Sequence, residues 1–415
     1  MRIAFVAINY APSIGGSQEL VRRVAEGLVR RHGHDVTVVT SDAMHAPAGS
    51  DPGRIERPDE VIAGVQVERR PVARRWSTVR RTGRRVGLRL GRDYEPGPQA
   101  YGPHGLRFAG AVRREARRSD VVVGVSAPFT TIPLAERSTR GTSTAFVSVP
   151  LLHLGDWQPS DAVVAPLLRA DRCVTQTDFE RAWLADHGVG PDRMAVIPPG
   201  CDAEAFPHLD RAASRASLGL PDRPTVAFVG RLASHKGIDT VLAAFARVVE
   251  AFPDVSLLLA GQRTSWDLDA ALDEGRSTWL DRVHVLEDFP ESDKPVVFGA
   301  ADVVLFPSRE ESYGIVTLES WAARRPVVVA DVGAIGTVVR SAVDGVVVPV
   351  DDPDALAQAV VDLLRHPSRA ARMGLAGRAR VERDFTWDAI VDAWERVLHE
   401  AVAARRGEPS PSLAG

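Results

Sequence analysis

Two residue types are scarce in this chain of 415 residues. Cysteine occurs only at Cys173 and Cys201, which excludes a disulfide framework and a cysteine-rich zinc site and suits a reducing compartment. Lysine occurs only at Lys236 and Lys294, so nearly all of the 51 basic residues are arginine. Beside so much Ala, Gly and Val, that bias reads as GC-rich coding, and it draws notice to each remaining lysine. Strong charge of either sign is missing too. The formal net charge is −3, so no global field draws the chain to nucleic acid. No apolar run approaches the ~18–20 residues of a membrane-spanning helix. The apolar opening, residues 1–8, is short and leads straight into a charged helix at 19–31. It reads as a buried first strand, and the expected location is cytoplasmic.

What is present is a globular composition, 45% apolar and 25% charged, which excludes a disordered chain or a fibre. The length suggests roughly two to three domains. A strand at 3–8 leads through a loop ending in Gly15-Gly16 into a helix that Ser17 can cap. Leu20, Val21, Val24, Leu28 and Val29 make its apolar face, Gly33 can end it, and a strand follows at 36–40. That is a βαβ unit. Further strand patterns lie at 65–67, 121–125, 144–149, 172–175 and 194–197. Residues 202–223 are polar and proline-bounded and read as a linker. The alternation then resumes, with strands at 225–229, 256–260, 283–286, 303–306, 327–330 and 345–348. Helices are expected at 237–252, 268–280, 314–324, 353–365, 368–381 and 386–405. The tail, 406–415, reads as disordered. Two such alternations imply an α/β protein of two doubly wound domains, 1–200 and 201–385. Ligands of such sheets sit at the carboxyl ends of the strands, so chemistry is expected in the loops after each first strand.

After the first strand of the second half comes Gly230-Arg231-Leu232-Ala233-Ser234-His235-Lys236-Gly237. Arg231 and Lys236 flank a turn that opens a helix, where two cations and free N–H groups suit a diphosphate. The alternative is an ordinary solvated loop. The second site runs from Phe306 through Glu311 to Glu319. A strand ends, a tight loop holds Glu311, and the N–H groups of Gly314, Ile315 and Val316 can accept a phosphate. Glu311 and Glu319 bracket that point, and carboxylates can bind vicinal hydroxyls of a sugar or a ribose. A capping acid and a solvated helical glutamate are the alternative.

The Glu311-x7-Glu319 spacing, followed by Ala322-Ala323-Arg324-Arg325-Pro326, resembles the signature of retaining GT-B glycosyltransferases of family 4. Gly230-Arg231-Leu232 with Lys236-Gly237 is similar to that family's diphosphate loop, Ile197-Pro198-Pro199-Gly200-Cys201-Asp202 to its interdomain linker, and Gly15-Gly16 to its first-strand glycine loop. The resemblance implies two Rossmann-like domains facing each other across a cleft, with the last helix packed back on the first domain. It implies that Arg231 and Lys236 neutralise the donor diphosphate, that Glu319 binds ribose hydroxyls, and that Glu311 contacts the transferred sugar near its anomeric carbon. Gly16 would let backbone approach the phosphate or acceptor, and Glu287 and Asp288 would lie near the base. His153 is the candidate for the family's histidine beside the sugar. The implied reaction moves a hexose-type sugar from a UDP- or GDP-linked donor to an acceptor on the N-terminal domain, with retention and no cofactor. The acceptor classes considered are lipid, secondary metabolite and glycan. A sugar-nucleotide epimerase and a non-catalytic nucleotide-sugar-binding protein of the same fold are the rival readings.

A metal is not expected. Asp267-Leu268-Asp269 and Asp352-Pro353-Asp354 resemble metal-binding triplets, but both stand where a helix begins, so capping explains them. Between Arg69 and Arg92 lie ten arginines and no acid, with Trp76, Val79, Val86 and Leu90 on one helical face. Three readings compete: a peripheral contact with an anionic membrane, a site for an anionic acceptor, and a solvated helix reflecting codon bias.

Overall fold

Runs of valine, stiff at χ1 and suited to a pleated surface, build the centre of each sheet. The computed structural model describes residues 1–13, 15–44, 53–71, 102–103, 105–154, 159–264, 266, 268–274 and 279–409. Backbone contacts divide the chain into two units. The first comprises Met1–Leu152, Trp157–Pro198 and Trp387–Gly415, and the second His153–Asp156 and Pro199–Thr386. The division expected between residues 200 and 201 thus falls between Pro198 and Pro199, and His153 goes with the second unit.

The first unit's sheet contains β1 (Arg2–Val6), β2 (Asp35–Ser41), β3 (Asp59–Ile62), β4 (Val65–Arg70), β5 (Val121–Val125), β6 (Ala145–Val149), β7 (Arg172–Thr175) and β8 (Met194–Val196). Their order is β3-β4-β2-β1-β5-β6-β7-β8. Every pair is parallel except β3 with β4. Every residue of β5 and β6 is buried, which is why these strands read as unbroken apolar runs. The edge strand β3 escaped the sequence reading because it is four residues long, two of them adjacent acids, and has little apolar signal.

Helix Gly16–His32 begins one residue before the expected cap. Gly15 takes the capping position without a side-chain bond, and the Ser17 hydroxyl donates to Gln18 instead, at 3.0 Å. Helix Trp387–Arg406 packs on this helix. A Cβ at Gly27 would lie 2.4 Å from Val391 Cγ2, so a glycine that weakens an isolated helix by about 1 kcal/mol here permits close packing. Ile390, Trp394 and Leu398 are buried against the sheet side of the same cluster, and the Trp394 ring centroid is 6.2 Å from that of Phe5. Arg31 adds ion pairs to Asp388 at 2.7 Å and Asp392 at 2.9 Å. The helix continues through Arg406, so that residue is not part of an unstructured tail, and 410–415 lie outside the described residues.

Most of the arginine-rich stretch also lies outside them. Its first two members do not form a membrane-facing patch. Arg69 and Arg70 end β4, and the guanidinium of Arg69 is fully buried against Glu60. Arg70 pairs with Asp59 at 2.8 Å and Glu68 at 3.0 Å. Among the described residues no helix is long and apolar enough to cross a membrane.

The second unit contains β9 (Thr225–Val229), β10 (Ser256–Gly261), β11 (Val283–Glu287), β12 (Val303–Phe306), β13 (Val327–Ala330) and β14 (Gly345–Val348). All neighbours are parallel in the order β11-β10-β9-β12-β13-β14. The order reverses between β9 and β12, the switch point where doubly wound sheets bind ligands. Residues 202–223 are not a free linker. They include helix Arg211–Ser217, capped by Asp210 through the Ala213 N–H at 2.9 Å. Buried Arg215 ties that helix to Asp302 at 2.7 Å and Asp222 at 2.9 Å. The helix has no apolar stripe, so periodicity did not reveal it.

Candidate active site

β9 and β12 are adjacent, so the loops leaving their carboxyl ends start side by side. Backbone contacts lock them together. The Arg309 N–H donates to the His235 carbonyl at 2.9 Å. Gly237, at φ 73, comes so near Pro307 that a Cβ would lie 2.1 Å from its carbonyl oxygen, and only glycine fits such a place. The turn preceding it puts Lys236 Nζ 2.6 Å from Glu311 Oε2 and 5.7 Å from the Phe306 ring centroid. Both Lys236 and Glu311 are buried. Burial works to raise the Glu311 carboxyl, but Lys236, His153 and the Ser312 N–H outweigh it and hold the group below the ordinary carboxylate range. Glu311 is therefore a permanent anion at neutral pH.

His153 and His235 stand in the same field. His153 is exposed by surface area, although neighbouring protein atoms strip part of its hydration. That lost hydration lowers its pKa, Glu311 opposes the shift, and Lys236 adds to it. Burial, then Lys236 and Arg231, push His235 down to about 4. Both imidazoles are neutral at pH 7. Arg231 is exposed on the same loop, which the neighbouring β10 loop supports. The Leu232 N–H donates to Gln262 at 2.8 Å, and the Thr264 hydroxyl donates to the Leu232 carbonyl at 2.8 Å. Arg231, Lys236, Glu311 and His153 are thus brought into one neighbourhood.

Helix Ile315–Ala322 follows, with Gly314 at φ 86 before its first turn. This puts the N–H groups of Gly314, Ile315 and Val316 at the loop's end. Glu319 is buried one turn in, and its Oε1 accepts from Lys294 Nζ at 2.7 Å. Lys294 also pairs with Glu291 at 2.7 Å. Burial disfavours its ammonium, but Glu319 and Glu291 prevail and raise its pKa. The chain's two lysines therefore end on the two glutamates of one motif. Sequence reading passed over Lys294, although the scarcity of lysine was a signal for it. It also missed Arg309, which grips Asp239 at 2.7 and 2.9 Å and Asp351 at 2.7 Å. Those partners are distant in sequence, and no local pattern announces them.

The other candidates lie elsewhere. Gly16 opens its helix in the first unit. Glu287 ends β11, at the sheet's outer edge, and accepts from Arg263 at 2.5 Å. Asp288 follows at φ 47, its N–H donating to Gly261 at 3.4 Å. The Asp352 carboxylate caps helix Pro353–Arg365 through the Ala355 N–H at 2.9 Å, and Asp354 pairs with Arg247 at 2.6 Å. Asp269 pairs with Arg263 at 2.8 Å, while Asp267 lies outside the described residues. Both cysteines are buried and unpaired. Burial, then Glu319 and Asp202, push the Cys201 thiol up, so it is inert.

The family described as "Glycosyl transferases group 1" matches residues 223–366, and that described as "Glycosyl transferase 4-like domain" matches residues 15–200. The chain belongs to the family 4 glycosyltransferases, with the GT-B fold. Among relatives of this chain, the D-inositol 3-phosphate glycosyltransferase of Segniliparus rotundus is 37% identical over 246 residues, 57% of this chain and 53% of that protein. The protein of the same name from Mycolicibacterium paratuberculosis is 36% identical over 270 residues, 62% of this chain and 58% of that one. The match thus spans little more than half the length of these relatives. In fold, the chain is similar to sucrose-phosphate synthase from Thermosynechococcus elongatus, with a TM-score of 0.73 at 22% identity over 97% of this chain and 99% of that one. Anabaena HepE in complex with UDP and glucose gives 0.72 at 17% identity over 96% and 99%.

Proposed function

We propose that this glycosyltransferase moves a hexose-type sugar from a UDP- or GDP-linked donor to an acceptor held by the first unit, with retention and without a metal. The buried Lys236–Glu311 pair at the switch point, 2.6 Å apart, carries the reading. An ammonium has three donors, so Lys236 can hold a diphosphate oxygen as well as the carboxylate. As the bond from the anomeric carbon to the diphosphate breaks, its electron pair leaves with the diphosphate. Arg231, Lys236 and the N–H groups of Gly314, Ile315 and Val316 stabilise that charge. Glu311, an anion beside them, stabilises the positive charge left on the sugar. The acceptor hydroxyl forms the new bond and gives its proton to a donor phosphate oxygen. Lys236 and Arg231 supply the charge a metal would otherwise bring.

In the same reading Glu319 takes the ribose hydroxyls, Glu287 and Asp288 border the base, neutral His153 donates to the sugar, and Gly16 admits the phosphate or acceptor. The relatives are named for inositol 3-phosphate, which makes an inositol phosphate the first acceptor to try. A thermal-shift panel of nucleoside diphosphates and their sugars identifies the donor, and NMR of the product with the panel of acceptors reads transfer and anomeric configuration. An inverted product removes retention, undiminished turnover in chelator is required, and epimerised donor released without acceptor makes the enzyme an epimerase.

A further inference from the structure

Away from the transferase site, the first unit gathers three histidines where helix Gly16–His32 turns toward β2. His32 Nε2 lies 3.0 Å from Asp392 Oδ1, and His34 Nε2 lies 2.6 Å from Glu395 Oε2. His399 Nε2 lies 2.9 Å from the other oxygen, Oε1, of Glu395. Glu395 and His399 are four residues apart on helix Trp387–Arg406 and so share a face. Ligating atoms of His34, Glu395 and His399 all fall within 4.8 Å of one another. A tetrahedral zinc site, with bonds near 2.0–2.1 Å, needs them about 3.3 Å apart. Metal binding requires side-chain rotations that part the touching His34 and Glu395 atoms, free the Nε2 of its proton and draw in His399.

We propose that His34, Glu395 and His399 bind a divalent ion of the zinc class, clipping the returning C-terminal helix to the loop before β2. Two imidazoles and a carboxylate form a borderline donor set that suits Zn²⁺ and disfavours Mg²⁺ or Ca²⁺. The environment is favourable. The side chains of His34 and Glu395 are only 8% and 16% exposed, and the His32 ring stacks on His34 with centroids 6.0 Å apart. Asp388, Asp392 and Glu395 add negative charge that Arg31 and the Met1 ammonium only partly offset. The Met1 ammonium lies 3.1 Å from His34 Nδ1; a metal on Nε2 shifts the His34 proton to Nδ1 and so breaks that contact. Nothing in the transferase reading depends on this site.

The test uses the full chain without a histidine tag, stripped with chelator and titrated calorimetrically with Zn²⁺, and in parallel with Co²⁺ followed by visible absorption. The expected result is uptake of one equivalent at micromolar strength or tighter, tetrahedral cobalt bands and a higher melting temperature. His399→Gln, at the more exposed imidazole, should weaken uptake about tenfold or more. It should leave the thermal shift given by UDP unchanged, which certifies the fold. Absent uptake, millimolar uptake, an octahedral aqua-like cobalt spectrum, or undiminished uptake by His399→Gln would each overturn the proposal.

Discussion

The two units each bury a glutamate beside the end of a strand, and the two carboxyls are driven in opposite directions. In the first unit Glu180 accepts from the N–H groups of Leu152 at 2.8 Å and Gln176 at 2.9 Å. Its neighbours are dipoles, and among the described residues no cation pairs with it. Burial wins, and its pKa rises to about 7. In the second unit Glu311 is buried against Lys236, and its pKa falls. Backbone dipoles can orient a carboxylate, but a buried anion needs a cation. Glu180 fixes the chain just before His153, whereas Glu311 carries a charge that a reaction can use. The same layered topology hosts both, and chemistry follows from the loops.

The largest expected effect breaks the charged side of this comparison. Glu311→Gln keeps the shape and removes the anion. It should cut kcat about 10²- to 10⁴-fold, in the range of a group that acts in the transition state, with affinity for the nucleoside diphosphate nearly intact. Steady-state kinetics beside calorimetry separate the two. Unchanged turnover removes Glu311 from the mechanism.

Glu180 provides the opposite test. Its carboxyl titrates at 4.5 when unfolded and at about 7 when folded. The folded chain therefore holds this proton more tightly. Its contribution is fully present below pH 4.5, is lost as the pH rises to about 7, and then levels off. The expected loss is about 3 kcal/mol, at roughly 1.4 kcal/mol per unit. Urea unfolding of the parent and of Glu180→Gln at pH 5 and pH 7 measures it. The variant should show the flatter dependence, and equal slopes would refute the raised value.

Much of this was legible beforehand because valine runs, turn glycines and the Glu311-x7-Glu319 spacing are local signals. β5, β7, β9, β12, β13 and β14 start and stop at the residues their local patterns predict. What was missed depends on partners distant in sequence: Lys294 on Glu319, Arg309 on Asp239 and Asp351, and Arg215 on Asp302. Ser17 misled because its hydroxyl had a competing acceptor next door. The basic stretch misled at Arg69 and Arg70 because charge was counted without the acids opposite them on β3 and beside them on β4.

The glycine loops sharpen the same contrast at smaller size. A Cβ at Gly237 meets a backbone carbonyl at 2.1 Å, while one at Gly15 meets the end of the Gln18 side chain at 2.4 Å. The flexible amide can turn away and the carbonyl cannot. Gly237→Ala should therefore cost about 2 kcal/mol and weaken nucleotide binding, whereas Gly15→Ala, strained only by its φ of 159, should cost about 1 kcal/mol. Thermal melts with and without UDP report both. Equal losses would show that the two second-unit loops are not locked as their geometry requires.

The smallest effect concerns the outer of the two lysine–glutamate pairs. Lys294→Met removes the ammonium 2.7 Å from Glu319 but keeps much of the apolar stem. Glu319 is buried, and the nearby Cys201 thiol stays protonated. Its carboxyl then loses the cation that favours its charge and becomes a poorer acceptor for two hydroxyls. Affinity for UDP should fall about tenfold, or roughly 1.4 kcal/mol, with kcat at saturating donor little changed. The decisive comparison is UDP against its 2′-deoxy form. If Lys294 acts through Glu319, the variant loses preference for the ribose hydroxyl and Lys294→Arg recovers part of it. If Lys294 only braces the helix it begins, both nucleotides weaken equally, and the discrimination belongs to other groups.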